Sequence, residues 1–573
     1  MKKDEYFFDY PDFNNIKEII YDVVKKYPKN TAFIVKEKKE KDIKYKNITF
    51  TELLEDVNNL GTGLYNLGMK DKKIAIISKN RYEWALSYIS ILLGNMVAVP
   101  LDKGLTPIEI ENSILRSEAD AIIFDNAMAD IISNIRAEGK TQIKEYICME
   151  NNEDFKSLQS IIEKGKKLRS EGKNDFENAK IDSDKLSVLC FTSGTSAVSK
   201  IVMLSHRNIA ANISAMHATE DFRETDVNLA FLPLHHTFGS TGILFILSYG
   251  AATAFPDGLR YIAQNLKEYG VSVFIGVPLL IEAMYGKIEK EVQKQGKTKL
   301  IKIARKVTNI FPKLKRRIFK QIIDQLGGKL RLIISGAAGL DKDVWQAFNE
   351  LGIHVIQGYG LTEASPVVAA ENFKYGKKGS IGFPLKGVEV KIFDKNEEGI
   401  GELAVKGPNV MLGYYDDEEA TNATFKDGWL LTGDLAYIDK EGFIFITGRK
   451  KNVIVLKNGK NIYPEELEML VNKLPLVKDC MVFGKPKDDD VVLSVKVQYD
   501  EEYIKEKYSD IDEEKIYEIL WEQIKQINRT MPTYKYIKNL VTTKEDFIKT
   551  TTAKIKRHEE MKKMARRILD GEK

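Results

Sequence analysis

The chain has 573 residues, too many for one hydrophobic core, so several domains or subdomains are expected. Its 43% hydrophobic and 30% charged residues are typical of a globular protein, and a net charge of +4 does not indicate a nucleic-acid-binding protein. The cysteines, Cys148, Cys190 and Cys480, are far apart, which argues against a disulfide framework or a zinc site and fits a reducing cytoplasm. No apolar run follows the first residues, so we expect no signal peptide.

Strand-like runs alternate with helical runs through the first two-thirds of the chain. Residues 73–78 predict a buried strand, residues 82–93 a helix and residues 96–101 another strand. Further strand-like runs lie at 121–124, 271–275 and 332–335. This alternation predicts an α/β fold with largely parallel sheets, in which ligands bind at the carboxyl ends of the strands.

Residues 287–331 are rich in Lys and Arg, and their only acidic residues are Glu289, Glu291 and Asp324. Apolar residues recur there at near-helical spacing, at positions 300, 301, 303, 307, 310, 311 and 314. The interpretation we favour is a solvated helical hairpin. The alternative is a basic amphipathic surface that contacts anionic lipid.

A small-residue loop with a lysine occupies residues 191–200, Phe-Thr-Ser-Gly-Thr-Ser-Ala-Val-Ser-Lys. It follows a predicted strand over residues 186–190 and precedes a helix that we expect to begin near Ser205. Backbone N–H groups and hydroxyls of such a loop can donate to phosphoryl oxygens, and the lysine adds a positive charge. The loop therefore predicts a phosphate-binding site, although solvated loops have the same composition.

Six further motifs follow in order. They are Pro-Leu-His-His-Thr-Phe-Gly at 233–239, Ser-Gly-Ala-Ala-Gly-Leu at 335–340, Gln-Gly-Tyr-Gly-Leu-Thr-Glu at 357–363, Gly-Trp-Leu-Leu-Thr-Gly-Asp at 428–434, Gly-Arg-Lys-Lys-Asn at 448–452 and Lys-Thr-Thr-Thr-Ala-Lys-Ile at 549–555. With the loop at 191–200, this series resembles the adenylate-forming (AMP-binding) superfamily. Residues 326–331 and 458–466 bring it closest to the long-chain fatty acyl-CoA synthetases.

The resemblance implies a domain organisation. Residues 1–447 would form a large N-terminal domain of two α/β subdomains plus a small β-barrel at about residues 380–447. Residues 448–573 would form a small, mobile α+β C-terminal domain with its hinge near Lys451. Rotation about that hinge would let one active site serve two half-reactions.

The implied reaction is ATP-dependent activation of a fatty acid to an acyl-adenylate, followed by transfer to CoA. Its products are acyl-CoA, AMP and pyrophosphate, and ATP, Mg²⁺ and CoA are the expected cofactors. Two alternatives remain: ligation to an acyl carrier protein, and nucleotide or acyl binding without turnover. The expected location is cytoplasmic, with weak peripheral contact at the inner face of the membrane as a second possibility. The acyl chain length and the oligomeric state cannot be predicted.

Matches to the family motifs suggest a role for each candidate residue. Lys200, Thr362, Glu363, His236 and Lys554 are the expected catalytic residues. Glu363 is the expected Mg²⁺ ligand, because a hard cation prefers carboxylate oxygens. His236 is expected to form a wall rather than to act as a base, since the substrate acid is already ionised near neutral pH. The expected nucleotide-binding residues are Thr192, Ser193, Gly194, Thr195, Ser196, Gly336, Ala337, Ala338, Gln357, Gly358, Tyr359, Asp434 and Arg449.

Several positions depart from the family pattern. Ala197, Ser199 and Ile201 replace glycine, proline and glycine in the phosphate loop, and Ala553 replaces the glycine before the C-terminal lysine. Ala337 replaces the second glycine of the adenine motif. Because a non-glycine residue in a left-handed conformation costs about 1–2 kcal/mol, we expect altered nucleotide affinity. Every charged functional position is kept, so we expect an active enzyme.

Overall fold

The computed structural model describes residues 12–39, 42–192, 199–219, 221–456, 460–487, 490–508, 511–550 and 554–569. The helices are α1 (Ile16–Lys26), α2 (Phe50–Asn66), α3 (Tyr82–Leu93), α4 (Pro107–Ser117), α5 (Ala129–Glu138), α6 (Leu158–Ser170), α7 (His206–His217), α8 (Thr237–Ser248), α9 (Ile262–Glu268), α10 (Pro278–Lys294), α11 (Thr298–Ile310), α12 (Lys315–Ile318), α13 (Lys320–Gln325), α14 (Lys342–Leu351), α15 (Glu418–Thr424), α16 (Pro464–Val471), α17 (Glu501–Tyr508), α18 (Glu513–Asn528) and α19 (Arg557–Leu569).

The strands are β1 (Thr31–Lys39), β2 (Asp42–Thr49), β3 (Lys73–Ile77), β4 (Val97–Pro100), β5 (Ala121–Phe124), β6 (Glu145–Cys148), β7 (Lys156–Ser157), β8 (Leu186–Phe191), β9 (Ile201–Ser205), β10 (Val227–Leu229), β11 (Ala252–Ala254), β12 (Val273–Gly276), β13 (Leu332–Ser335), β14 (His354–Gly360), β15 (Val367–Ala370), β16 (Phe383–Pro384), β17 (Glu389–Phe393), β18 (Gly401–Lys406), β19 (Gly413–Tyr414), β20 (Phe425–Lys426), β21 (Trp429–Ile438), β22 (Ile444–Arg449), β23 (Ile454–Val455), β24 (Asn461–Ile462), β25 (Val477–Lys487), β26 (Asp490–Tyr499) and β27 (Asn539–Thr543).

Two mixed sheets dominate the large N-terminal part. An eight-stranded sheet has the order β19-β9-β8-β4-β3-β5-β6-β7, and its strands are parallel except at the β8-β9-β19 edge. A nine-stranded sheet has the order β16-β15-β14-β13-β12-β10-β11-β1-β2, with antiparallel pairs at both edges. The predicted α/β fold with largely parallel sheets is therefore confirmed.

The remaining sheets are smaller. Strands β17-β18-β21-β20 form an antiparallel sheet, with β22 also paired to β21. This pairing does not specifically confirm a closed β-barrel. Beyond it, β25-β26-β27 pack with α16 and α18 around a separate core that includes Leu467, Val495 and Leu520. The large N-terminal domain and the smaller α+β C-terminal domain are confirmed, whereas the boundary at residue 448 stays a prediction.

The predicted site segments lie at strand ends. Thr192 follows β8, Gly336 follows β13 and Thr362 comes two residues after β14, at carboxyl ends of strands in the two large sheets. The helix expected near Ser205 is α7, and the Ser205 side chain accepts from the backbone N–H of Asn208 in its first turn. Helix α3 and strand β4 also lie where the sequence predicts them. Among the described helices, none combines the length and the apolar character needed to cross a membrane.

Glycines allow helices α2 and α6 to pack at close range. A Cβ atom built on Gly165 of α6 would lie 1.8 Å from the backbone oxygen of Asn59 in α2. On the other side of the contact, a Cβ on Gly63 would lie 2.3 Å from the backbone oxygen of Ile161. Backbone atoms cannot move aside as flexible side chains do, so neither position has room for a larger residue.

We expect Gly165→Ala to lower the free energy of unfolding by about 1–3 kcal/mol through overpacking. The matched control is Gly286→Ala in α10, where an added Cβ would meet no atom within 4 Å. That control should be neutral or stabilising by up to about 1 kcal/mol, because alanine is the better helix former. Urea unfolding of both variants measures the difference, and equal midpoints would contradict the packing argument.

Candidate active site

A cavity of about 930 Å³ opens beside the strand ends of the nine-stranded sheet. Seven of the predicted site residues line it: His236, Gly336, Ala337, Gly358, Tyr359, Thr362 and Lys554. The deeper wall is apolar and includes Phe222, Phe245, Ile275 and Leu280. A pocket of this size with few polar groups is suited to a ligand that has both an apolar and a polar part.

The side chains of Tyr359, Asp434 and Arg449 bond to one another. The Tyr359 hydroxyl donates to Asp434 Oδ2 (2.6 Å), and Arg449 Nε lies 3.0 Å from Asp434 Oδ1. Asp434 and Arg449 are opposite each other in the pair of strands β21 and β22. Burial raises the pKa of Tyr359, as does the neighbouring Asp434, so the hydroxyl keeps its proton and donates it to the carboxylate.

The carboxylate of Glu402 supports the Asp434–Arg449 pair. Glu402 is nearly buried; its Oε1 accepts from the backbone N–H of Gly433 (3.2 Å) and its Oε2 from Lys450 Nζ (2.6 Å). Gly433 and Lys450 are the chain neighbours of Asp434 and Arg449. Glu402 thus fixes both ends of the Asp434–Arg449 pair, and nothing in its sequence context indicated this role.

Lys554 reaches the same cavity from the C-terminal domain. Its backbone N–H donates to Thr550 Oγ1 (3.1 Å), while the Thr550 N–H donates to the Lys554 carbonyl (2.8 Å). The side chain keeps exposed surface, but protein surrounds it on most sides. Burial lowers the pKa of Lys554, as does Arg449, whereas Asp434 acts to raise it. Lys554 lines the same cavity as Tyr359, whose hydroxyl binds Asp434.

A buried ion pair supports the loop that carries Lys554. Lys496 Nζ lies 2.8 Å from Glu560 Oε2, and both side chains are almost completely buried. Glu560 Oε1 also accepts from the backbone N–H of Ile548 (2.7 Å), just before the loop begins. A buried charge is tolerated only when it is paired, so this arrangement fixes the base of the loop.

The predicted phosphate loop is only partly described. Thr192 donates through its backbone N–H and its hydroxyl to the Lys200 carbonyl (2.9 and 3.3 Å), which closes the neck of the loop. Lys200 Nζ lies 4.3 Å from the centre of the Tyr414 ring. Roles for the residues between them stay predictions, because Ser193, Gly194, Thr195, Ser196 and Ala197 lie outside the described residues.

Tyr414 connects this lysine to Glu363. The Tyr414 hydroxyl donates to Glu363 Oε1 (2.9 Å), and burial raises the pKa of Tyr414, so that it remains a donor. The backbone beside Glu363 is held by Asn409, whose Nδ2 donates to the Ala364 carbonyl (3.0 Å). Among the described residues, no group of three or more potential protein ligands could hold a metal. Glu363 therefore fits Mg²⁺ only in the mode in which one carboxylate and substrate phosphates share the ion.

Gln357 and Glu371 hold the 336–340 loop beside the cavity. Gln357 Oε1 accepts from the Leu340 N–H (3.0 Å) and its Nε2 donates to the Ser380 carbonyl (3.1 Å), so the amide holds the 336–340 loop. Glu371 accepts from the Gln357 N–H (2.9 Å) and Trp345 Nε1 (2.9 Å), and burial raises its pKa to about 7. Glu371 was missed by the sequence analysis, because an isolated glutamate carries no signal.

His236 ends a loop that Asn80 holds against the cavity. Asn80 Nδ2 donates to the carbonyls of Ala230 (2.9 Å) and Leu232 (2.7 Å). The pKa of His236 is lowered to about 3, mainly by burial and also by neighbouring His235, while Asp102 acts to raise it. A neutral imidazole at physiological pH fits the predicted wall.

Ala337 adopts a backbone conformation that favours glycine. Its φ is +72°, in the left-handed region, and it lines the cavity where the family pattern has glycine. The neighbouring Ala338 has an ordinary negative φ and more exposed surface. The structure therefore places left-handed strain at Ala337, which the sequence analysis had noted only as a departure from the family glycine.

We expect Ala337→Gly to raise the free energy of unfolding by up to about 1 kcal/mol, because relief of the left-handed strain exceeds the added chain entropy. The control Ala338→Gly relieves no strain and should lower it by about 0.5–1 kcal/mol. Urea unfolding measures both, and ATP titration calorimetry shows whether the strain also sets nucleotide affinity. Equal destabilisation by both variants would contradict the assignment.

Comparisons with known proteins identify the family of the chain. A family model described as AMP-binding enzyme covers residues 20–415, and a model of the AMP-binding enzyme C-terminal domain covers residues 451–570. The chain is 31% identical to long-chain-fatty-acid–CoA ligase 5 of Rattus norvegicus over 481 residues, which span 77% of this chain and 69% of that protein. It is 29% identical to fatty acyl-CoA synthetase B of Dictyostelium discoideum over 78% of this chain and 71% of that one.

A solved structure shares the fold. The crystal structure of ATP-bound MatB from Rhodopseudomonas palustris superimposes with a TM-score of 0.74 over 96% of this chain and 98% of that chain, at 24% sequence identity. The likeness extends over both domains. The chain therefore belongs to the AMP-binding enzyme family, with long-chain fatty acyl-CoA ligases among its relatives.

Proposed function

We propose that this protein activates a fatty acid with ATP and transfers the acyl group to CoA. The observation that carries the proposal is that Lys554 and Tyr359 line one largely apolar cavity, with the Tyr359 hydroxyl bonded to the Asp434–Arg449 pair. The polar group suits a nucleotide, and the apolar wall suits an acyl chain. The fatty acyl-CoA ligases among the relatives support the same substrate class.

In the first half-reaction, a carboxylate oxygen would bond to the α-phosphorus of ATP while the bond to pyrophosphate breaks. The fatty acid is already ionised near neutral pH, so no base is required. Lys554, Lys200 and Thr362 would counter or bind the charge that develops on the phosphoryl oxygens. Mg²⁺ held by Glu363 and phosphate oxygens would add positive charge there. A neutral His236 would limit access of water to the acyl-adenylate.

In the second half-reaction, the CoA thiolate would attack the acyl carbonyl and AMP would leave. We place the pivot for the accompanying domain rotation at Lys451. Its two chain neighbours bind to different parts of the protein. Lys450 Nζ binds Glu402 of the antiparallel sheet, and Asn452 Nδ2 donates to Glu465 of α16 (2.6 Å). The residue between two such anchors is a natural place for backbone rotation.

Two alternatives differ in measurable ways. An acyl carrier protein would replace CoA as the acceptor, and a non-catalytic binder would release no pyrophosphate. The altered phosphate loop motivates the second alternative, whereas retention of Lys200, Glu363, Asp434 and Lys554 counts against it. Pyrophosphate release with short to long fatty acids separates an enzyme from a binder and reports the preferred chain length. Thioester formation with CoA or with carrier protein then identifies the acceptor.

We expect Lys554→Ala to slow acyl-adenylate formation by about 10²–10³-fold, because a positive charge at the transferring group is removed. Thioester formation from supplied acyl-adenylate should change little. Lys562→Ala on α19, an exposed lysine outside the cavity, is the matched control and should be neutral in both assays. Equal loss of both half-reactions would contradict a role confined to adenylation.

We expect Glu363→Gln to raise the Mg²⁺ concentration required for half-maximal adenylation, because a neutral amide is a poorer ligand for a hard cation. The amide can still accept from Tyr414, so the fold around it should persist. Tyr414→Phe is the companion variant: it removes the hydroxyl but leaves the carboxylate. Identical Mg²⁺ titrations of wild type and Glu363→Gln would remove Glu363 from the metal site.

A further inference from the structure

Helix α11 carries a row of exposed apolar side chains on its outer face. Leu300 and Ile303 are each 60% exposed, and Ile310 at the end of the helix is 73% exposed. Val307 belongs to the same row, and Phe311 and Leu314 continue it directly after the helix. We refer to these six residues as the α11 ridge. A contiguous row of this kind is uncommon on a soluble surface and marks an interaction site.

The inner face of α11 already meets the protein core. Ile301 and Ala304 pack against the hydrophobic cluster beside the nine-stranded sheet, and Thr308 is completely buried. Arg305 fixes this face, because its Nη2 donates to the Tyr285 hydroxyl of α10 (3.0 Å). The α11 ridge is therefore not the face that packs the helix against the core, because Ile301, Ala304 and Thr308 form that face.

Cations lie beside the ridge. Lys299, Lys302 and Lys306 are exposed and follow one flank of the apolar row at helical spacing. Lys313 and Arg317 extend the charge beyond the helix, and among the described residues none of the five has an ion-pair partner. No acidic residue occurs between Glu291 and Asp324. The surface thus combines an apolar row with uncompensated positive charge.

We propose that the α11 ridge docks on a bilayer that contains anionic lipid. An amphipathic helix with apolar residues on one face and lysines beside it lies in the plane of a membrane interface. The lysine stems can run along the apolar layer while their ammonium groups meet lipid phosphates. A second copy of this chain is a poorer occupant, because two such surfaces would bring like charges together.

The docked helix is joined to the cavity through α10. The first turn of α10 supplies Leu279 and Leu280 to the cavity lining, and Leu279 is itself exposed. The same helix contacts α11 through Tyr285 and Arg305. If the proposed function holds, this arrangement keeps a cavity for apolar substrates close to the layer where they dissolve. The docking itself does not depend on that function.

The test is co-sedimentation with vesicles of phosphatidylglycerol and phosphatidylcholine, compared with phosphatidylcholine alone. We expect the full-length chain to bind the anionic vesicles reversibly and to dissociate as salt rises, because screening weakens the charge attraction. A triple variant should lower the vesicle partition coefficient of the protein at least about tenfold; it combines Lys299→Gln, Lys302→Gln and Lys306→Gln. A double variant, Ile303→Gln with Ile310→Gln, should lower the vesicle partition coefficient even at low salt, where the attraction between the lysines and the anionic lipid is strongest.

The charge-matched control changes Lys164, Lys166 and Lys167 of α6, exposed lysines far along the chain from the ridge, to glutamine. It should bind within about twofold of wild type. Lys315 and Arg316 are left intact, because they donate to the carbonyls of Asn349 (2.9 Å) and Leu330 (2.8 Å) and so support the fold.

Two results would overturn the proposal. One is equal vesicle binding by wild type and both ridge variants. The other is a concentration-dependent dimer in sedimentation velocity that the ridge variants abolish while vesicle binding stays unchanged. Adenylation of a soluble short acid by the ridge variants shows that they are folded. Vesicle binding by Lys554→Ala separates docking from catalysis: it should match wild type whether or not the proposed reaction is correct.

Discussion

The candidate site depends on one buried carboxylate, that of Asp434. A buried charge is costly unless it is paired, and each partner of Asp434 comes from a different part of the chain. Tyr359 donates to it from the end of β14, Arg449 pairs with it from the neighbouring strand β22, and Lys554 of the C-terminal domain lines the same cavity as Tyr359. The nine-stranded sheet and the antiparallel sheet therefore meet at a single carboxylate, and the C-terminal domain contributes to the cavity beside it.

Around that carboxylate, amide and acid side chains hold the loops in place. Asn80 fixes the loop before His236, Gln357 fixes the 336–340 loop, Asn409 fixes the backbone beside Glu363, and Glu402 fixes both neighbours of the ion pair. Each side chain makes at least one hydrogen bond to backbone or to a charged group. Such bonds order the site before a ligand arrives, so less free energy is spent on ordering during binding.

Helix α10 connects two apolar surfaces of the protein, the cavity wall and the α11 ridge. Inside, its first turn contributes Leu280 to the cavity; outside, its contact with Arg305 holds α11 so that the ridge faces solvent. The inner surface is shielded beside a neutral His236, whereas the outer one is flanked by lysines. The same hydrophobic effect would favour both of the proposed interactions, acyl binding in the cavity and lipid contact at the ridge.

The sequence alone determined the α/β alternation and the order of the motifs, because these depend on local period and residue type, and the motif resemblance made Lys554 and Asp434 candidate site residues. It also showed that Ala337 departs from the family glycine, whereas its left-handed φ is a result of the structure. Only the tertiary structure decided that Tyr414 links Lys200 to Glu363 and that Glu402 supports the ion pair. Those contacts join segments distant along the chain, and a residue's type does not state which distant partner will satisfy it. For the same reason, the sequence did not determine which face of α11 is buried. Apolar residues occur on both sides of this helix, and only packing decides which side is buried.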